Sequence, residues 1–240
     1  MAKKITTKKE TLVNFILDKS GSMSPIVDST ISGFNEYVET LKKDGNKYSF
    51  SLTFFDTEVK QTYKNEPIKG VEKLNRENYS PDGMTALYDA VCRTINDVKN
   101  TVKKDQKVLT VIMTDGEENS SKEYTQEQLK TKIAELEKEG NWSFVFLGAN
   151  QDSWANASKI GISQMNTANF VATDAGMAKS MRTMASNTGN FAMSASGATA
   201  KFFTKSDQAD LMDDQTKISA HFSALGKKGW EAKKKKLLGE

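Results

Sequence analysis

The sequence is short of the residues from which most metal and catalytic sites are recognised. Among 240 residues there is one cysteine, Cys92, and one histidine, His221. A single thiol excludes an intramolecular disulfide and any zinc site built from several cysteines, and it suits a reducing compartment. A single imidazole excludes multi-histidine metal centres, and a Ser-His-Asp triad would have to draw on a residue of the tail. Long apolar runs are also missing. The stretch Leu12 to Leu17 is broken by Asn14 and is too short to span a bilayer. It follows a basic segment but lacks the long apolar core and small-residue cleavage site of a secretion signal, so the expected location is cytoplasmic.

Net charge is nearly absent as well. Lys plus Arg number 34 against 31 Asp plus Glu, a balance of +3 that is too even to argue for nucleic acid. The excess sits at the ends: residues 1–10 carry +3 and residues 227–240 carry +4, which leaves −4 for the body between them. A mildly acidic body with two basic tails is the better description.

What the sequence does have is alternating periodicity. Leu12 to Leu17 reads as a strand buried on both faces. Val27, Ile31, Phe34, Val38 and Leu41 then form one stripe of an amphipathic helix, which Asp44-Gly45-Asn46 ends. Tyr48, Phe50, Leu52 and Phe54 alternate with Ser49, Ser51 and Thr53, predicting a strand with one wetter face. A short hairpin partner is expected over Val59 to Tyr63, and an irregular loop over 64–84. Leu87, Val91, Ile95, Val98 and Val102 give a second helical stripe, and Val108 to Met113 another buried strand. Thr125 with Gln128 predicts a capping box at the start of a helix carrying Leu129, Ile133 and Leu136. Ser143 to Leu147, a short helix around Asp152 to Lys159, a strand near Asn169 to Ala172, and a stripe over Met177, Met181, Met184, Thr188 and Phe191 complete the alternation.

Such alternation implies an α/β protein: a Rossmann-like, doubly wound and mostly parallel sheet with helices on both faces. The expected organisation is a basic segment over residues 1–10, a domain over 11–195, and an extension over 196–240. The extension has scattered apolar residues (Phe202, Phe203, Leu211, Ile218, Phe222, Leu225) and a solvated Lys233 to Lys236 run.

In an open α/β sheet, ligands bind beyond the carboxyl ends of the strands. Asp18-Lys19-Ser20-Gly21-Ser22 follows the first buried strand, and Thr114-Asp115-Gly116-Glu117-Glu118 follows the VLTVIM strand. Asp82-Gly83-Met84-Thr85 precedes the second helix. All three offer hard oxygen donors, which suit Mg²⁺, Mn²⁺ or Ca²⁺ rather than a soft metal. Hydroxyls of Ser20, Ser22 and Thr85, with Asp18 and Asp115 nearby, can supply part of an octahedral shell. An open position would then favour an anionic oxygen from a partner. The bland alternative is that Asp18 merely ends a strand while Ser22 or Ser24 caps a helix.

These residues resemble those of von Willebrand factor type A domains. Asp18 to Ser22 matches the family's DxSxS signature, Gly83-Met84-Thr85-Ala86-Leu87 resembles the loop that donates its threonine, and Thr114-Asp115-Gly116 resembles its second aspartate. The stretches GMTALYDAV, IMTDGEENSS and FVFLGANQD are similar to small intracellular bacterial and phage members, and the likeness covers roughly residues 10–195. The resemblance implies a six-stranded sheet in the order 3-2-1-4-5-6 with a short antiparallel edge strand. It also implies a complete metal-ion-dependent adhesion site, with Asp18, Ser20, Ser22, Thr85 and Asp115 around the metal. The implied function is non-enzymatic capture of a partner's acidic side chain through Mg²⁺ or a similar ion.

Two other functions remain open from sequence: a Mg²⁺-dependent phosphoryl-transfer or hydrolase enzyme, and an adaptor subunit of a larger ATPase machine. Against the enzyme, Lys19-Ser20 stands where a phosphatase-type DxD would need a second Asp, and no GxxxxGK[ST] loop is present. Asp89, Glu117 and Glu118 are expected to be solvated, Asn150 and Asp152 to make an Asx turn, Cys92 to be a small buried hydrophobe, and the Met177–Phe191 stripe to be core.

Overall fold

The computed structural model describes residues 9–149, 153–197 and 201–211. Six strands, β1 (Thr11–Asp18), β2 (Tyr48–Phe55), β3 (Val59–Pro67), β4 (Lys107–Thr114), β5 (Trp142–Ala149) and β6 (Thr167–Phe170), form one sheet in the order β3-β2-β1-β4-β5-β6. Every neighbouring pair is parallel except β2 and β3. The helices are α1 (Val27–Lys43), α2 (Leu87–Lys99), α3 (Gln126–Lys138), α4 (Ser153–Lys159) and α5 (Asp174–Met193). The fold class and strand order are those expected from sequence.

Because side chains alternate across a strand, β1 feeds two cores. Val13, Phe15 and Leu17 pack with α1 and α5, while Leu12 and Ile16 pack with α2 and α3. Gly33 lets α1 approach α5 closely: a Cβ there would lie 2.9 Å from Met181 Cγ and 3.1 Å from Met177 Cγ. The methionine stripe of α5 is core, with Met177, Met181 and Met184 fully buried. Thr125 caps α3 in the expected box with Gln128. Cys92 is buried, and desolvation pushes its thiol up to about 12.

Several expectations need correction. The polar face of β2 is not wet, because Ser49, Ser51 and Thr53 are all buried. Thr94 of α2 donates to Thr53, and Ser49 and Ser51 bond Asn65, so the alternation marks an internal polar layer. The edge strand β3 is nine residues long rather than short, and its pairing with β2 shifts register between Phe50 and Thr53. The strand near Asn169 to Ala172 lies earlier, at Thr167–Phe170, because the chain turns at Val171 to let Thr173 cap α5 through Gly176 N–H. Part of the extension is apolar core: Phe202, Phe203 and Leu211 are buried against the α1/α5 side. Ile218, His221, Phe222, Leu225 and Lys233 to Lys236 lie outside the described residues, as do Asn150 and Asp152.

A buried lysine ties the far end of β4 to α5. Lys107, only 1 % exposed, donates from Nζ to the carbonyls of Phe191 (2.6 Å), Ala192 (2.9 Å) and Ser194 (2.8 Å). These are carbonyls that a helix end leaves without intrahelical partners. The ammonium also sits 4.9 Å from the centre of the Phe191 ring. Lys107→Ala removes a donor from all three carbonyls, leaving Phe191 O only its bonds from Ser194, and we expect a loss of about 3 kcal/mol in urea denaturation. A change below about 0.5 kcal/mol would show that the grip adds nothing to stability.

Candidate functional site

The sheet order places the ends of β1 and β4 side by side, and both end in aspartate-bearing loops. Asp18 is the last residue of β1 and is buried. Its Oδ1 accepts from Ser20 N–H at 2.6 Å, which turns the chain sharply out of the strand. Its Oδ2 accepts from the Thr114 hydroxyl across the β1–β4 boundary at 2.5 Å. Ser20 Oγ and Ser22 Oγ are 3.0 Å apart, and Ser22 donates to Asp115 Oδ1 at 2.6 Å. Four of the five expected residues thus form one hydrogen-bonded chain. None of the serines caps a helix: neither the 3₁₀ turn over Gly21–Ile26 nor α1 has a side-chain cap, so the bland reading of DxSxS does not hold.

The fifth residue arrives on a separate loop. Gly21 N–H donates to Gly83 O at 3.1 Å and Asp82 N–H to Lys19 O at 2.9 Å, which splices the Thr85 loop to the β1 loop. Gly83 has φ +74°, and a Cβ there would press to 2.8 Å from Thr57 Oγ1, so glycine is required on both counts. On the other side, Thr85 N–H donates to Asn119 Oδ1, and Thr85 O accepts from Asn119 N–H at 3.0 Å. Thr85 is thereby held between the β1 and β4 loops.

Gly116 shows how closely these groups converge. A Cβ built on it would stand 2.8 Å from Thr85 Oγ1, 3.4 Å from Ser22 Oγ and 3.6 Å from Asp18 Oδ2. Three oxygens, two from the end of β1 and its loop and one from the Thr85 loop, face a space that exists because residue 116 of the β4 loop has no side chain. Among the described residues, no group of three or more His, Cys, Asp or Glu side chains gathers to hold a metal. The donors here are hydroxyls with two carboxylates, a set that fits a hard divalent cation and not a soft one.

Several supporting residues were not read as functional from sequence. Thr114 was legible only as a neighbour of Asp115, although period-2 alternation sends its side chain to the face opposite its neighbour's. Tyr79 lies in the stretch read as irregular loop, yet it is fully buried and donates its hydroxyl to Asp18 O at 2.7 Å. Lys19 pairs with Asp56 at 2.6 Å, which directs its charge toward the end of β2. Asp89 and Glu118 are not solvated as expected. Asp89 accepts from the backbone N–H of Lys122, Glu123 and Tyr124, and Glu118 from those of Tyr88, Ser120 and Ser121. Both acids fold the loop that carries Asp115. Glu117 is exposed, as expected.

Comparison with known proteins agrees with this architecture. The profile of the von Willebrand factor type A domain matches residues 13–187. Proximal thread matrix protein 1 from the mussel byssus, in a structure with a zinc-occupied adhesion-site motif, superposes with a TM-score of 0.57 at 14% identity, covering 76% of this chain and 46% of that one. The PilB minor pilin from Streptococcus sanguinis gives 0.56 at 14% identity, covering 78% and 63%. The pilus adhesin SpaC from Lactobacillus rhamnosus GG in its open conformation gives 0.59 at 13%, covering 77% and 30%. The chain spans less than two thirds of each of these structures, and at such identities the likeness is one of fold. No curated protein matches the sequence.

The electrostatics of the metal-free site carry a pH signature. Burial raises the Asp18 pKa to about 6, against the opposing hydrogen bonds from Thr114 and Ser20, and burial raises Asp115 as well. A carboxyl whose folded pKa lies above its unfolded one disfavours the fold when ionised. The metal-free protein should therefore lose up to about 3 kcal/mol as pH rises from 4 to 7 on account of Asp18. Asp18→Asn should flatten that slope and raise stability at pH 7, as read by thermal melts in EDTA. An unchanged slope would show that Asp18 is not the group responsible.

Proposed function

Because the chain belongs to the von Willebrand factor type A domain family, we propose that it is a binding module that captures an acidic side chain of a protein partner through a divalent cation held by Asp18, Ser20, Ser22, Thr85 and Asp115. The observation that carries this reading is the convergence of Thr85 Oγ1, Ser22 Oγ and Asp18 Oδ2 on the space beside Gly116. Mg²⁺ is the ion best matched to three neutral hydroxyls and two carboxylates, with Mn²⁺ or Ca²⁺ as close substitutes. The zinc recorded in the mussel protein's motif supports a metal at this position of the fold. When bound, the cation supplies a Lewis-acidic position open to a carboxylate oxygen.

The chain's own residues make that position selective. Ser22 gives its proton to Asp115 and accepts one from Ser20, which leaves one lone pair of its oxygen available. Thr114 and Ser20 N–H hold the two oxygens of Asp18, fixing that carboxylate before any ligand arrives. Without a cation the carboxylates of buried Asp18 and half-buried Asp115 repel an acidic partner, so capture is conditional on the ion. Lys19, engaged by Asp56, gives no support to the phosphoryl-transfer alternative. No helix among the described residues is long and apolar enough to cross a membrane, and the unpaired buried Cys92 fits the cytoplasmic location we assign.

Calorimetric titration tests the site directly. Thr85→Ala should weaken Mg²⁺ by more than tenfold with the fold retained by circular dichroism. Thr114→Val, which removes only the group behind Asp18, should cost about 10–100-fold. Equal Mg²⁺ affinity in both variants and the wild type would eliminate this site as the metal centre.

A further inference from the structure

The seat opens within an acidic rim. Residues 56–58, 80–86 and 115–121 carry Asp56, Glu58, Asp82, Asp115, Glu117 and Glu118 and no Lys or Arg. Thr85 and Asp115 bring two of these stretches into the seat itself. The third is stitched to the Thr85 loop, because Met84 N–H donates to Thr57 Oγ1 (3.0 Å) and Ala86 N–H to Asp56 O (2.9 Å). Two lysines lie close by: Lys19 is paired with Asp56, and Lys159 lines the same cavity as Glu117. Glu58 and Asp82 are exposed and carry no ion pair among the described residues. A divalent cation cancels Asp18 and Asp115 and still leaves this rim negative. An acidic side chain that approaches the cation therefore meets repulsion unless basic residues flank it.

The chain itself carries such a sequence outside the described residues. Lys227-Lys228-Gly229-Trp230-Glu231-Ala232 followed by Lys233 to Lys236 sets one carboxylate between two lysines and four. We propose that this segment occupies the seat: Glu231 of the same chain completes the shell of the cation, and the flanking lysines lie against Glu58 and Asp82. The inference rests on the metal-dependent reading above and names a ligand for it. A partner must then displace the chain's own carboxylate, so the segment sets a threshold for capture.

Position and length allow this occupancy. Leu211, the last described residue, is buried on the α1/α5 side, and Lys179 Nζ donates to Asp210 O at 2.7 Å. Lys179 lies in the second turn of α5, which starts just after the carboxyl end of β6. Because β1, β4, β5 and β6 are parallel, that is the edge of the sheet at which the seat opens. Twenty residues lead from Leu211 to Glu231, and such a stretch spans up to ~66 Å when extended. A folded body of ~200 residues has a radius of gyration of only ~16 Å. The acid beside the other basic tail is no competitor, since Glu10 precedes β1 at the opposite edge and pairs with Lys103.

The test uses the full chain labelled with 5-fluorotryptophan. Three tryptophans are present, and Trp230→Phe assigns the ¹⁹F resonance of the one beside Glu231. Mg²⁺ should move that resonance and EDTA should return it. Glu231→Gln should abolish the movement while calorimetry still detects Mg²⁺ binding. A blocked peptide of residues 227–236 should bind Glu231→Gln about tenfold more tightly than wild type, because no tethered carboxylate competes. The double variant Glu58→Lys with Asp82→Lys should shrink the movement at equal Mg²⁺ occupancy. A Trp230 resonance indifferent to Mg²⁺ in a chain that binds Mg²⁺ overturns the proposal and leaves the metal site standing. So does a movement that survives Glu231→Gln or is undiminished in the double variant. A movement that grows with protein concentration places the segment on a second copy and overturns the same-chain assignment. Absence of Mg²⁺ binding in the wild type removes both readings together.

Discussion

The hydrogen bond from the Thr114 hydroxyl to Asp18 Oδ2 is the contact on which the site's geometry turns. It crosses the boundary between β1 and β4, the two strands whose carboxyl ends supply the aspartates. Burial alone would favour a protonated Asp18. The hydroxyl and the Ser20 amide counter that tendency by offering fixed donors to both carboxylate oxygens. They also fix the orientation of the carboxylate, so each neighbouring group meets an acceptor already in place. A site assembled from three loops requires such a point of reference, because loop backbones otherwise adjust independently.

The loops themselves are held by main-chain contacts more than by side-chain packing. The β1 loop and the Thr85 loop exchange two backbone hydrogen bonds, and the Thr85 and β4 loops are joined through Asn119. Asp89 and Glu118 gather a further six backbone N–H groups between them. Acidic residues that contribute net charge to a composition thus act here as internal acceptors for loop backbone. This explains how a centre made of short polar side chains is preorganised.

Much of the fold and of the candidate site was legible in the sequence for a physical reason. Strands buried on both faces, such as Leu12 to Leu17 and Val108 to Met113, leave unbroken apolar runs, and helices on the sheet leave stripes. Asp18, Ser20, Ser22 and Asp115 follow those runs directly, so strand ends drew attention to them, whereas Thr85 stands before α2 and was singled out through the family resemblance. What escaped reading was contact between distant segments. The buried polar face of β2 has the same alternation as a wet one, and only the packing of α2 above it distinguishes the two. Tyr79 sits in a stretch with no periodicity, and its role depends on reaching a carbonyl 61 residues earlier. Lys107 stands just before the Val108–Met113 run, and nothing local marks it, because the helix end that it closes lies 84 residues downstream.

Gly116 gives the candidate centre its most economical description. The residue that leaves room for the proposed cation contributes no donor atom, so an inventory of ligands omits it. Adding one carbon there would close the space while leaving Asp18, Ser20, Ser22, Thr85 and Asp115 all in the sequence. A chain could therefore display a full signature and still hold nothing, which makes the smallest residue in the loop the one that tells a working seat from its imitation.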